Sequence, residues 1–343
     1  MNPKPESPDL VDRVRRDLLR RLLGAGALAA GTSFLGAQGV ASASQIGPAM
    51  PDIDPVALTD HVWMIPALGP FPSPDNQGFF ANIHFVVTAK GVVVLDTGTS
   101  LQIGRMALRQ IARVTDKPVI AVFNSHYHGD HWLGNQAFLE HDPNLPIHAH
   151  ADCVAAIRNA VGRHWLEQML GATDGAIAGT TVTPPNAPVA NGDAFDFGDV
   201  TLRVHHHGTA HTPVDISVEV VEDGAVFVGD IAMDHRIANM SDGSFNGTFQ
   251  VFDALEQAAP GSLWLPGHGK PGRDLLARQR ELFEGIYENA ANAAEQMLPI
   301  SEAKAMVLAD PRVTKYADDT FGFDEGIGKF TSIAYTEAEA RAF

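Results

Sequence analysis

The sequence predicts an α/β protein in which two β-sheets pack face to face and helices cover their outer sides. Three observations support this prediction. After residue 45, short apolar runs of strand type alternate with runs of helical type, this order occurs twice, and no linker-like stretch separates the two halves. The chain has 343 residues, of which 45% are hydrophobic and 19% charged, so it can bury a large core. We therefore predict one folded domain over residues 50–300.

The first half begins with a β-hairpin. The segment ANIHFVVTAKGVVVLDTG contains two β-rich runs joined at Ala89-Lys90-Gly91, where Gly91 suits a tight turn. The segment SLQIGRMALRQIARVTD starts with a serine in the N-cap position and spaces its apolar residues at helical intervals. The apolar run PVIAVF that follows predicts a short buried strand.

The second half repeats this pattern. Strands are predicted at VTLRVHHH and SLWLPGHG, and between them DISVEVVEDGAVFVGD predicts a hairpin with its turn at Asp223-Gly224. One helix is predicted near FQVFDALEQAA, and a longer one runs from about Asp274 to Met297. Residues 301–343 are predicted to form a helical C-terminal extension.

Residues 1–43 have the layout of an export signal peptide that is cleaved near Ala43. A basic start precedes a weakly apolar stretch from Leu22 to Val40, and small residues end the segment. Arg15-Arg16 resembles a twin-arginine signal, although a second pair, Arg20-Arg21, departs from its usual form. Glycine and polar residues in the stretch disfavour the alternative, a membrane anchor. We expect a periplasmic or exported protein with the twin-arginine translocase as a partner.

The charge of the remaining chain limits its other partners. Of the 24 basic and 41 acidic residues, six and four lie in residues 1–43, which leaves a net charge of −19 on the other 300 residues. A surface of this sign repels phosphate groups, so we expect a small-molecule substrate and no nucleic acid. The single cysteine, Cys153, rules out an internal disulfide and is expected to be a small buried hydrophobe.

A dense group of metal-binding residue types follows the predicted strand PVIAVF. The segment NSHYHGDHWLGN, from Asn124 to Asn135, places three histidines and an aspartate within six residues. His126 and His128 can point the same way on an extended backbone, and Gly129 then permits a sharp turn. After that turn, Asp130 and His131 can face a second point. Imidazole and carboxylate groups at the end of a buried strand predict a site for zinc or a similar divalent metal.

Further residues of the same types also follow predicted strands. Asp96 ends VVVLDTG, His211 follows HHHGTA, Asp230 ends AVFVGD and His268 lies in LPGHG. One histidine among 15 is weak evidence by itself, but the common position at strand ends predicts that these side chains join one site. Gly267 and Gly269 on either side of His268 would allow the backbone to approach closely.

In this order the residues match the five motifs of the metallo-β-lactamase-fold hydrolases, and residues 55–290 resemble that superfamily. The resemblance implies an αβ/βα four-layer sandwich whose catalytic domain carries a site between its two halves. It also implies two divalent metals bridged by Asp230, with Asp130 and Asp230 as the catalytic carboxylates. The implied ligands are His126, His128 and His211 for one metal and Asp130, His131 and His268 for the other. Asp96 would orient ligands from behind.

Asp230 also indicates a branch of the superfamily. Zinc β-lactamases usually carry cysteine or serine at this position, whereas a bridging aspartate resembles the glyoxalase II and general hydrolase branches. His128 stands where the diiron flavoproteins usually have glutamate, which disfavours that redox branch. We expect Zn²⁺, with iron or manganese as alternatives because a hard oxygen bridge broadens the choice of metal.

The resemblance and the ligand set predict a hydrolase in which a metal-bridging hydroxide attacks an ester, thioester or lactam carbonyl. Two alternatives remain open: an iron-dependent sulfur dioxygenase that acts on persulfides at a single metal, and a non-catalytic metal-binding accessory protein of the cell envelope. Outside the ligand set, Asn239, Ser241 and Asn246 are predicted to line the mouth of the site. The residues His205 to His207 are interpreted as strand packing, and Tyr127 as a buttress of the loop.

Overall fold

The computed structural model describes residues 46–342, and the predicted signal peptide lies outside this range. The first sheet in the described range has seven strands in chain order. They are β1 (Val56–Ala57), β2 (Val62–Ile65), β3 (Ile83–Val87), β4 (Val92–Leu95), β5 (Val119–Phe123), β6 (Ile147–His150) and β7 (Ala187–Val189). Strands β1 to β4 pair antiparallel, and β4 to β7 pair parallel.

The second sheet has five strands, in the order β12-β11-β10-β9-β8. They are β8 (Ala194–Asp196), β9 (Thr201–His205), β10 (Ser217–Val220), β11 (Ala225–Gly229) and β12 (Leu263–Pro266). All neighbours pair antiparallel except β11 and β12, which are parallel.

The helices of the described range connect and cover these sheets. They are α1 (Leu101–Val114), α2 (Gly129–Trp132), α3 (Asn135–His141), α4 (Ala151–Arg158), α5 (Ala160–Ala172), α6 (Phe245–Ala258), α7 (Leu275–Glu295), α8 (Ile300–Ala309), α9 (Pro311–Thr314) and α10 (Phe323–Ala342). In the described range, no helix combines the length and apolarity that a membrane crossing requires.

The apolar strands build the layers because side chains alternate between the two faces of a strand. On β4, Val93 and Leu95 join a core between the two sheets that also contains Phe227 of β11. Val92 and Val94 point the other way and pack with the apolar face of α1. On β11 the alternate residues pack in the same manner against α6 and α7. The result is a helix-sheet-sheet-helix sandwich, which confirms the predicted fold class.

Local signals in the sequence place several of these elements correctly. The β3-β4 hairpin turns at Gly91, whose φ is 156°. A Cβ there would lie 2.8 Å from the carbonyl oxygen of Pro118, so this close approach requires glycine. Ser100 caps α1 as predicted, because its Oγ accepts a hydrogen bond of 3.1 Å from the Ile103 amide. The predicted long helix is α7, Leu275–Glu295.

Residues 300–342 form α8, α9 and α10. Phe330 of α10 shares an apolar core with Phe283 of α7 and with Ile237, which follows β11. The carboxylate of Glu337 on α10 accepts hydrogen bonds of 2.7 and 2.8 Å from Ser244 Oγ and the Phe245 amide. It therefore caps the first turn of α6 from a distant part of the chain.

Candidate metal centre

The candidate ligands lie in the loops and the short helix that follow the ends of strands. Strand β5 leads to His126, His128 and α2, and the loop between β9 and β10 carries His211. Asp230 follows β11, and His268 follows β12. Since these strand ends meet at one edge of the two packed sheets, the side chains converge there. All seven predicted ligands are buried: His126, His128, Asp130, His131, His211, Asp230 and His268.

The first group contains His126, His128, His211 and Asp230. His211 Nε2 lies 2.9 Å from His128 Nδ1 and 3.5 Å from Asp230 Oδ2. His126 Nε2 lies 3.8 Å from the same Asp230 oxygen. One nitrogen of each ring therefore faces a common point beside Asp230.

The second group contains Asp130, His131, His268 and, again, Asp230. Asp130 Oδ2 lies 3.3 Å from His131 Nε2 and 3.1 Å from His268 Nε2. Asp230 Oδ2 lies 3.3 and 3.4 Å from the same two nitrogens. Asp230 belongs to both groups, and the structure thus brings together all seven residues in the two sets that the sequence comparison implied.

The hydrogen bonds on the outer side of the rings orient the inner nitrogens toward the site. His131 Nδ1 donates to Asp96 Oδ2 at 2.6 Å, and His268 Nδ1 donates to the carbonyl oxygen of Phe80 at 2.7 Å. Ser125 Oγ donates to Asp96, so it accepts from His126 Nδ1, which lies 2.9 Å away. In each neutral ring the other nitrogen, Nε2, then carries a lone pair that can bind a metal.

Several of the inner atoms have no hydrogen-bond partner among the described residues. The buried atoms His126 Nε2, His131 Nε2, His268 Nε2 and Asp230 Oδ1 make no hydrogen bond within the described residues. Buried polar atoms without a partner are rare and costly, and here several of them converge. Nitrogen and carboxylate donors in this arrangement suit zinc and related divalent ions. The residues present therefore fit two divalent cations.

The electrostatics of the site agree with this fit. Burial holds the pKa of His126 well below its usual range, which keeps the ring neutral. Burial alone would raise the pKa of Asp230, but the neighbouring His131 and His268 outweigh it and hold the pKa well below the usual range. For His131, burial is outweighed by Asp230 and Asp130, which raise its pKa. Binding of a cation beside His131 would thus release a proton.

Comparison with known proteins identifies the family. The profile described as "Metallo-beta-lactamase superfamily" matches residues 76–298. This chain belongs to the metallo-β-lactamase superfamily. The ligand positions that the sequence comparison implied for this superfamily are those that converge in the structure.

Two curated relatives match parts of this chain. The atrochrysone carboxyl ACP thioesterase of Aspergillus chevalieri is 23% identical over 211 residues, which are 60% of this chain and 58% of that protein. The linear primary-alkylsulfatase of Pseudomonas sp. (strain ATCC 19151) is 34% identical over 53 residues, 16% of this chain and 10% of the sulfatase. This chain thus spans less than two thirds of the length of either relative.

Solved structures of the superfamily have the same fold. A metallo-β-lactamase from Pontibacter korlensis matches with a TM-score of 0.55 and 19% identity, over 68% of this chain and 99% of that one. The stereoselective inverting sec-alkylsulfatase Pisa1 from Pseudomonas sp. matches with a TM-score of 0.62 and 16% identity, over 83% of this chain and 50% of that one. At these identities the likeness shows the fold alone.

Residues that are not ligands themselves contact the ligands from their outer side. Asp96 was predicted to orient ligands, and it does contact His131; the amide of Ser125 donates to its Oδ1 at 2.8 Å. Asp96 has a φ of 60°, a conformation that aspartate adopts more readily than most residues. Sequence reasoning missed Ser125, although its place beside His126 was a usable signal.

Two further carboxylates were also missed. Asp242 Oδ2 lies 3.2 Å from His128 Nε2, in a contact between residues 114 positions apart that no local pattern indicates. Asp215 accepts hydrogen bonds of 2.7 and 2.6 Å from the amide and hydroxyl of Thr212, which holds the turn next to His211. Burial raises the pKa of Asp215 to about 7.

Gly267 allows the second ligand group to form. A Cβ on this residue would lie 2.4 Å from Asp230 Oδ1 and 2.8 Å from His131 Cε1. Its amide donates to the carbonyl oxygen of Gly229 at 2.7 Å, which ties the β12 end to the β11 end. The close approach predicted from the sequence is therefore an approach to Asp230 itself.

The remaining histidines and Cys153 stay outside the two ligand groups of the described residues. His205 is buried, and its Nε2 lies 2.9 Å from Glu219 Oε2, as strand packing predicts. Tyr127 packs beside the loop, and its carbonyl oxygen accepts a hydrogen bond of 2.8 Å from Trp132 Nε1. Cys153 is buried, as predicted, and burial raises the pKa of its thiol.

A cavity of about 640 Å³ opens beside His268, and Phe80, Arg236 and Phe321 are among its walls. Of the residues predicted to line the mouth, Asn239 borders a neighbouring cavity of about 550 Å³. Ser241 and Asn246 are not among the residues that line these two cavities, so their predicted place at the mouth stays a prediction. Asn246 lies in the first turn of α6, where its side-chain amide donates to Glu337 of α10 at 2.9 Å.

Proposed function

We propose that this protein is a metal-dependent hydrolase that uses two divalent cations to cleave an ester, thioester or lactam with water. The observation that carries the proposal is the position of Asp230, whose carboxylate belongs to two separate groups of buried histidine and aspartate ligands. When bound, divalent cations would supply Lewis acidity, which polarises a carbonyl oxygen and makes water nucleophilic near neutral pH.

The protein residues would have distinct roles in this reaction. His126, His128 and His211 would hold one cation, Asp130, His131 and His268 the other, and Asp230 both. The hydrogen bond from His131 to Asp96 fixes the orientation of that ring. Asp130 Oδ2, which faces the second group, would be one of the oxygen ligands of that cation. Cys153 would take no part as a nucleophile, since it is buried in an apolar cluster.

The relatives support a hydrolase that acts on ester-like bonds. One curated relative is an ACP thioesterase, and another is a primary-alkylsulfatase. The carboxylate of Asp230 at the shared position supports a place in the glyoxalase II-like or general hydrolase branch and Zn²⁺ as the metal, with iron or manganese as alternatives.

Metal content and turnover test the proposal together. We would measure metals per chain by plasma mass spectrometry on protein purified without added metal. Initial rates would be followed with a chromogenic cephalosporin and with a thioester, before and after chelation and metal return. We expect two metal equivalents and turnover of at least one substrate that chelation abolishes. One iron equivalent with oxygen consumption on a persulfide, and no hydrolysis, would instead identify the sulfur dioxygenase.

We further propose that the protein is exported through the twin-arginine translocase, on the basis of residues 1–43, which lie outside the described residues. In a bacterial host that has this pathway, the Arg15→Lys, Arg16→Lys double variant should remain in the cytoplasm as the uncleaved precursor. The Arg20→Lys, Arg21→Lys variant is the matched control and should still be exported. Fractionation followed by mass determination would measure both, and equal export of all forms would refute this route.

A further inference from the structure

Arg236 places a guanidinium group beside the metal centre. The side chain is half-buried, and its guanidinium carbon lies 4.9 and 5.7 Å from the ring centroids of Phe71 and Phe80. Its Nη1 donates to the carbonyl oxygen of Pro70 at 2.9 Å. Among the described residues, no carboxylate forms an ion pair with this guanidinium. Both rings attract the cation, and an anionic ligand would add the ion pair that the described residues do not supply.

The contact between Arg236 and His268 does not use the hydrogen-bond donors of the guanidinium. Nη1 of Arg236 lies 3.2 Å from His268 Nδ1. That nitrogen already donates its hydrogen to the Phe80 carbonyl oxygen at 2.7 Å, so it has no lone pair to accept from Arg236. A guanidinium has five N–H donors, and Pro70 accepts from only one nitrogen. Donors therefore remain available in the cavity next to a candidate metal ligand.

The outer walls of the same space are apolar and exposed. Leu68, Phe71 and Phe321 are 49%, 46% and 56% exposed, although large apolar side chains are usually buried. Leu68 and Phe321 line the cavity of about 640 Å³, and Phe71 and Phe321 line the neighbouring one of about 550 Å³. Arg236 borders both cavities. A cluster of exposed apolar residues around a cationic group fits a ligand with an apolar body and a negative charge.

The walls are held in place by hydrogen bonds between distant segments. The amide of Phe321 donates to the carbonyl oxygen of His235 at 2.9 Å, and His235 Nδ1 donates to the carbonyl oxygen of Asp319 at 2.8 Å. The acidic Asp234 at this cavity already accepts from Arg278 Nη1 at 2.8 Å. Asp318 and Asp319 are exposed at the rim. Arg236 and the exposed Lys270 are therefore the cations at this cavity without an ion pair among the described residues, and of the two only Arg236 contacts His268.

We propose that Arg236 binds an oxyanion of the substrate, and that Leu68, Phe71 and Phe321 bind its apolar body. This inference rests on the proposed function and narrows it, because the preferred substrates become amphiphilic anions whose charged group lies at the metal centre. Arg236 acts here as a specificity residue, since a bidentate guanidinium recognises carboxylate and sulfate-type groups well.

Binding of substrate-like probes that cannot be hydrolysed tests this directly. The first probe is 1-octanesulfonate below its micelle concentration, because its sulfur is bound to carbon and it has no ester bond. Octyl glucoside has the same chain without the charge, and methanesulfonate has the same charge without the chain. In calorimetric titrations of the metal-loaded protein, octanesulfonate should bind at least about tenfold more tightly than either comparison probe. Octanoate in place of octanesulfonate would tell whether carboxylates are bound equally well.

Variants then separate the contribution of the charged group to binding from that of the apolar chain. Arg236→Gln should weaken octanesulfonate binding about tenfold or more and leave octyl glucoside unchanged. Arg236→Lys, which keeps the charge but loses the planar fork, should have an intermediate effect. Phe321→Ala, at the surface, should weaken octanesulfonate and leave methanesulfonate unchanged. Arg163→Gln, at an exposed arginine of α5, is the matched control and should change nothing.

Several results would overturn the inference. Equal affinity for octanesulfonate and octyl glucoside would do so, as would full octanesulfonate affinity in Arg236→Gln. Titration of chelator-treated protein separates Arg236 from direct attraction by the metals, because the loss in Arg236→Gln should persist there. If Arg236→Gln fails to fold, two measurements still test the inference. They are the comparison of the probes on the unchanged protein and the affinities of the Phe321→Ala variant. Selective binding without hydrolysis would refute only the proposed function, and hydrolysis without selectivity would refute only this inference.

Discussion

The metal centre and the C-terminal helices of residues 300–342 are built in opposite ways. Each ligand of the metal centre follows the end of a strand, so its place is set by a few residues on either side of it. The C-terminal segment acts through contacts with residues far away in the chain. The amide of Phe321 donates a hydrogen bond to the carbonyl oxygen of His235. Glu337 on α10 caps α6 at Phe245, which lies 92 residues earlier in the chain.

The two regions also differ in what they contribute to stability. The metal centre buries nitrogen and oxygen atoms that have no hydrogen-bond partner among the described residues, which opposes folding until a cation binds. The C-terminal helices instead bury apolar side chains and satisfy the first amides of α6. We therefore expect substitutions in the metal centre to affect metal binding and turnover, and substitutions in the C-terminal helices to affect the free energy of unfolding.

The largest effect is expected from Asp230→Asn. The substitution keeps the size of the side chain but removes the charge that both ligand groups share. Turnover should fall by at least about 100-fold, and metal content should fall below two per chain. Kinetics and plasma mass spectrometry measure the two effects. Asp152→Asn, at an exposed position, is the matched control; an Asp230→Asn variant with normal metal content and activity would remove the basis for the proposed function.

Gly267→Ala should have the next largest effect. The new methyl group would lie 2.4 Å from Asp230 Oδ1, so the carboxylate or the β12 end must move by about 1 Å. We expect a loss of activity of about 10- to 100-fold with a smaller loss of metal, because the ligands remain but their geometry changes. Gly171→Ala is the control, since nothing lies within 4 Å of a Cβ there. Equal activity of both variants would contradict the close approach at Gly267.

The buried His84 provides a pH test of the sandwich core. Its ring lies against Phe227 with both nitrogens unpartnered, and burial lowers its pKa to about 3. Between this value and the ordinary value of 6.5, the unfolded chain binds the proton more readily, so stability is present above about pH 6.5 and is lost as the pH falls. At pH 5 the loss relative to pH 7 should be about 2 kcal/mol.

His84→Leu should remove this loss. Urea unfolding at pH 7 and pH 5 would measure it, as a stability gain over the unchanged protein that is larger at pH 5. His164→Leu, at an exposed histidine, should show no such dependence. A gain for His84→Leu that is the same at both pH values would mean that His84 is not held neutral.

The smallest effect is expected from Glu337→Gln. The carboxylate accepts hydrogen bonds from Ser244 Oγ and from the amides of Phe245 and Asn246, at 2.7, 2.8 and 3.1 Å. Loss of the charge at the N-terminus of α6 should lower the free energy of unfolding by about 1 kcal/mol. Metal content should stay normal, which separates this region from the metal centre. Glu339→Gln, exposed on the same helix, is the control, and the prediction fails if both variants are equally stable.

Much of the metal centre could be predicted from the sequence because its signals are local. The run His126-x-His128-x-Asp130-His131 after an apolar strand, and the single residues Asp230 and His268 at later strand ends, are visible without a structure. Gly267 was visible too, as a glycine beside a ligand. The contact from Asp242 to His128 was not, because nothing in the residues around Asp242 indicates which ring it faces.

The surroundings of the cavity show what sequence reasoning could not decide. Asn246 is polar and was interpreted as part of a loop near the site, but it lies in the first turn of α6. In the structure it is bound by Glu337, and Arg236 and Phe321 take the positions beside the cavity. Which loop residues face a cavity depends on the helices packed around them, and loop composition alone does not contain that information.

By itself, the sequence determined the alternation of strands and helices, the residues of both ligand groups and the family, because these depend on periodicity and on neighbours along the chain. Only the tertiary structure decided that Asp242 faces His128, that Arg236 forms no ion pair among the described residues, and that residues from the C-terminal segment wall the cavity. The physical reason is that charge pairing and burial are properties of distances in space. Those distances are set by the packing of segments far apart in the chain.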